Sequence, residues 1–112
     1  MADRQVPGIS AHTVTASKEG SVGVITLGGS VGVEAEEKLM AAYREVATGA
    51  KMVRWRFLPG TSINSAGIAV LITIASQART SRQPMEVSGL SPHYRKIFDM
   101  IGLTAFVAFV DE

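Results

Sequence analysis

A chain of 112 residues, 46% hydrophobic and 19% charged, holds one domain with a core and has no room for two. Eleven Lys and Arg against ten Asp and Glu give a net charge of +1, so nothing steers the protein to phosphate backbones or anionic lipid, and neither a nucleic-acid nor a membrane partner is expected. The absence of cysteine removes disulfides, thiolate catalysis and zinc–thiolate sites and suits a reducing cytoplasm, and two histidines make no metal centre.

Residues 1–11 contain Asp3, Arg4, Pro7 and Gly8 and no continuous apolar core, so they read as a flexible tail and not as a signal peptide. Residues 12–18 and 21–27 are rich in Val, Thr and Ile and flank Glu19-Gly20, the pattern of a β-hairpin. The glycines of residues 28–32 break the second strand. Ala35, Leu39, Ala42, Tyr43 and Val46 then recur at helical spacing behind acids, predicting a helix over residues 34–47 that stops at Gly49. Residues 51–58 alternate, with Val53, Trp55 and Phe57 on a buried face and Arg54 and Arg56 on the other, where pairing with Glu86 is expected.

Pro59-Gly60-Thr61-Ser62 reads as a loop. Asn64-Ser65 supplies cap oxygens in front of a second helix, whose apolar run from Ala66 is continuous enough to be buried nearly all round in its first half. That run, residues 66–75, is half the roughly 20 residues needed to span a bilayer. Residues 85–90 form a short strand. Ser91 then caps a third helix with Pro92 at its first position, a helix in which Tyr94, Ile97, Phe98 and Ile101 share a core stripe, and His93 is a surface residue. Gly102 ends this helix, and residues 104–110 make a last strand. The order β-β-α-β-α-β-α-β predicts an α/β domain over residues 12–112: a five-stranded mixed sheet with right-handed crossovers that place all helices on one face.

No glycine motif here fits a nucleotide site: residues 28–33 lack G-x-G-x-x-G, and no G-x-x-x-x-G-K-[ST] occurs. Ser65 lies in Ile63-Asn64-Ser65-Ala66-Gly67, which is no hydrolase elbow, and no catalytic set is expected. Two readings of Ser65 stand on physics. It caps the second helix, or it both caps and accepts a phosphate, which would meet free backbone N–H groups and the positive end of the helix dipole.

Three motifs in order give a resemblance: residues 63–71, Val87-Ser88-Gly89-Leu90-Ser91-Pro92, and residues 96–103. Together they resemble the STAS family, the sulfate transporter and anti-sigma factor antagonist domains, over nearly the whole chain and most closely the free-standing bacterial anti-anti-sigma factors. The resemblance implies a STAS-like domain without catalysis, cofactor or metal, acting in transcription regulation by binding an anti-sigma factor. That partner, or another, would be a serine kinase of histidine-kinase-like ATPase type. Ser65 matches the family's phosphoacceptor, and the contact surface maps to Gly60, Thr61, Ser62, Ile63, Asn64, Ser65, Gly67 and Ile68. The family's acids near the acceptor are replaced by Asn64 and Gly32, and Arg56 stands where a small polar or acidic residue is usual. Two alternatives stand beside the antagonist: a phosphorylation-independent STAS scaffold or sensor subunit, and, from another class, an enzyme using Ser65 as nucleophile.

Overall fold

Residues 12–111 are described by the computed structural model; the tail expected over residues 1–11 lies outside the described residues. Strands β1 (His12–Glu19) and β2 (Val22–Val31) form the antiparallel hairpin, with His12 opposite Gly29 and Glu19 opposite Val22. A 3-10 turn (Val33–Ala35) leads into α1 (Glu36–Ala47), which starts with Glu36 and Glu37 at the positive end of its dipole. There follow β3 (Met52–Phe57), β4 (Ser62–Ile63), α2 (Ser65–Thr80), β5 (Met85–Ser88) and α3 (Pro92–Met100). A second 3-10 turn (Leu103–Ala105) precedes β6 (Ala108–Phe109). The sheet order is β1-β2-β3-β5-β6, antiparallel at the hairpin and parallel elsewhere, and β4 pairs in parallel with the end of β2.

Register explains where the core sits. Ile25, Trp55, Val87 and Phe109 are successive partners across the four strands, so their side chains share one face. All three helices cover that face: α1 through Leu39, Tyr43 and Val46, α2 through Val70, Leu71 and Ile74, and α3 through Phe98. Trp55 is fully buried, as its alternation with Arg54 and Arg56 requires. Phe98 meets Phe57 edge-on at 6.5 Å and Phe109 at 6.2 Å, tying α3 to the far side of the sheet. The opposite face carries Arg54, half-buried and bonded to Glu86 at 2.8 Å.

Several expectations are corrected. Among the described residues the sheet has six strands, because Ser62, at the end of the segment read as a loop, and Ile63 form β4, held by Ser30 and Val31 of β2. Gly28 and Gly29 do not break β2, since β1 pairs with both and β4 takes over the pairing at Ser30 and Val31. The last strand is two residues long, because Thr104 and Ala105 belong to the 3-10 turn. Arg56 pairs with Glu19 at 3.0 Å and not with Glu86, reaching diagonally across β2. Ile101 is 45% exposed because α3 ends one residue before it, off the core stripe.

Candidate functional site

The site is assembled where β2, β4 and the start of α2 meet. Gly60, at a positive φ of +79°, turns the chain after β3, and the Thr61 hydroxyl secures the turn by donating to the Leu58 carbonyl. Ile63 and Asn64 are then fixed from two sides. The Ile63 N–H donates to the Tyr94 hydroxyl of α3 at 3.0 Å, and the Asn64 N–H donates to the Val31 carbonyl of β2 at 3.1 Å.

Asn64, extended at φ −91° and ψ −178°, caps α2: its Oδ1 accepts from the Gly67 N–H at 2.9 Å. This corrects the reading of Ser65 as the cap. Ser65 is the first residue of the helix proper, exposed, and its hydroxyl has no hydrogen-bond partner among the described residues. Gly67 sits so close to β2 that a Cβ there would collide with the Val31 carbonyl oxygen. Glycine therefore lets the first turn of α2 rest on the sheet edge, and that approach sets where Ser65 stands.

Of the residues matched to the family's contact surface, Gly60, Ser62, Asn64 and Ser65 are exposed and Thr61 and Ile68 half-buried. Ile63 and Gly67 are buried, so they position the loop from below. Sequence reasoning missed three participants. Val33 is 58% exposed and follows Gly32, which lies against the Asn64 side-chain amide; Leu58 is 40% exposed at the end of β3; and Tyr94 holds Ile63. The available signal was the pairing of two large apolar residues with glycine- and proline-containing turns, a poor place for core residues.

The positions that depart from the family's acids, Gly32 and Asn64, are neighbours in space: a Cβ at Gly32 would lie 2.7 Å from the Asn64 Nδ2. The first turn of α2 has no acidic residue. Clefts of about 520 Å³, beside Arg56, Arg95 and Phe109, and about 610 Å³, between Tyr43 and Ile72, lie elsewhere, and neither borders Ser65. Among the described residues no three His, Asp or Glu side chains are grouped to hold a metal, and no helix is long and apolar enough to cross a membrane.

Comparison with known proteins agrees with this architecture. The family described as MlaB, STAS domain, matches residues 14–110. No curated protein matches the chain. Among solved structures, the phosphorylated form of the Bacillus cell-fate determinant SpoIIAA superposes with a TM-score of 0.67 at 18% identity, covering 89% of this chain and 93% of that one. An anti-sigma factor antagonist from Mycobacterium paratuberculosis gives 0.71 at 17% identity over 88% and 85%. The protein TM1081, solved by NMR, gives 0.74 at 13% over 99% and 90%. At such identities these likenesses establish the fold.

Proposed function

The chain belongs to the STAS domain family, and on that premise we propose that it is a bacterial, cytoplasmic anti-sigma factor antagonist. It binds an anti-sigma factor through the surface around Ser65 and is switched off when a kinase, of histidine-kinase-like ATPase type, phosphorylates that serine. One observation carries the reading: the Ser65 hydroxyl is exposed at the first position of α2 while Asn64 does the capping. A phosphate there adds a charge of about −1.5 to −2 without removing any bond that holds the fold. Two structural neighbours lend support, an anti-sigma factor antagonist by description and SpoIIAA, known in phosphorylated and unphosphorylated forms.

The test is capture of partners from the native host on immobilised protein, with mass spectrometry of both the captured proteins and Ser65. The antagonist reading expects an anti-sigma factor in the bound fraction and phosphate on Ser65 confined to unbound protein. Capture of other STAS subunits with unmodified Ser65 would favour the phosphorylation-independent scaffold, the reading that the uncharged Gly32–Asn64 contact supports. The nucleophile reading has no such support, because no base is hydrogen-bonded to the Ser65 hydroxyl among the described residues.

A further inference from the structure

Two uncharged stretches far apart in sequence meet at Ser65. No Asp, Glu, Lys, Arg or His occurs in residues 20–33 or in residues 57–78, in a chain where 19% of residues are charged. Parallel pairing of Ser30 and Val31 with Ser62 and Ile63 brings the two stretches together, and the Gly32 contact with Asn64 closes the join. The resulting surface presents Val33, Ser62 and Asn64 and, at four-residue steps along the outer side of α2, Ser65, Ala69 and Thr73, all exposed. The cap itself is made by an amide where a carboxylate would also serve. Charge resumes at the rim with the exposed Glu34, Glu36 and Glu37, and the sheet's other face carries the Arg54–Glu86 and Arg56–Glu19 pairs.

We infer that the partner presents an uncharged face to this surface and that phosphate on Ser65 acts by the cost of desolvating a charge, so that a charge of either sign there weakens binding. The inference rests on the proposed function. A partner that set Lys, Arg, Asp or Glu against this surface would strip water from those groups and find no counter-charge on it among the described residues. The same holds in reverse. A charge placed on Ser65 loses its hydration as the complex closes and gains no ion pair in return; the positive end of the α2 dipole offsets only a small part of that cost for an anion and adds to it for a cation, so an ammonium is no more welcome than a phosphate. Contacts of this kind are also little affected by salt, because ionic screening acts on charge pairs.

The experiment measures the dissociation constant of the anti-sigma factor captured by the wild-type protein against Ser65→Gln, Ser65→Glu and Ser65→Lys, with denaturation midpoints confirming that each variant is folded. Gln and Glu have the same shape, so their difference reports charge alone. The expected result is that Gln binds within about fivefold of wild type while Glu and Lys each weaken binding by at least about 30-fold. Wild-type affinity should change by less than about threefold between about 50 and 500 mM NaCl. The inference is overturned if Lys binds like Gln, if Gln loses as much as Glu, or if affinity falls steeply with salt. A panel in which no variant alters binding, or a wild type that captures no anti-sigma factor, would instead remove the proposed function on which the inference stands.

Discussion

The first turns of α2 and α3 meet the same need with different atoms. In α3 the cap is Ser91, whose Oγ accepts from the Tyr94 N–H at 3.4 Å, and the next position holds Pro92, which has no N–H to satisfy. In α2 the cap is Asn64, with the shorter bond of 2.9 Å to Gly67, and the position that Pro92 occupies in α3 belongs to Ser65. A serine near a helix start is therefore consumed by the fold in one case and released from it in the other. The difference is one residue of offset, and it leaves the Ser65 hydroxyl available for chemistry.

The largest effect that would probe this arrangement is at Gly67. Helix propensity alone would make Gly67→Ala stabilising by about 1 kcal/mol. The added Cβ, however, meets the Val31 carbonyl, so urea denaturation should show a net loss of about 2 kcal/mol or more. Next, Asn64→Ala should cost about 1 kcal/mol by the same method, and Ser91→Ala, whose bond is longer, roughly 0.5 kcal/mol. Ser65→Ala should leave stability within about 0.3 kcal/mol of wild type, since no bond is lost. Equal losses at Asn64 and Ser65 would break the comparison between the two helix starts.

The smallest effect lies away from both caps and serves as a control. Tyr43 donates its hydroxyl proton to the Gln83 Oε1 at 3.0 Å, and burial pushes its pKa above the ordinary value of 10.0. The unfolded chain ionises first, so this contribution is complete below about pH 10 and is lost as pH rises through the raised folded value. Tyr43→Phe should flatten that alkaline decline in stability without altering partner capture.

How much of this was legible in the sequence depended on whether the signal was periodic. The alternation of Val53, Trp55 and Phe57 with two arginines gave β3 and its buried face, and the acids before a 3.6-residue pattern gave α1. Strand β4 was not legible, because two residues carry no period and its partner lies some thirty positions away on β2. The Gly28–Gly29 pair looked like a break, yet a strand already paired along its length carries glycine without ending.

The site divides in the same way. That a helix begins near Asn64-Ser65 followed from composition, but which of the two is the cap is a question of backbone conformation. Only the extended Asn64 resolves it. The contact of Gly32 with Asn64 and the exposure of Val33 arise from parallel pairing of distant segments, which no local pattern encodes.

The central claim is that Ser65 belongs to regulation and Asn64 to the fold. Its most direct test is the affinity of the captured anti-sigma factor for Ser65→Asp relative to Ser65→Ala, two variants expected to unfold at matching denaturant concentrations. The account predicts that Ser65→Ala binds as wild type does while Ser65→Asp, equally folded, loses binding by at least about 30-fold; a folded Ser65→Asp protein that binds as tightly as Ser65→Ala would contradict it.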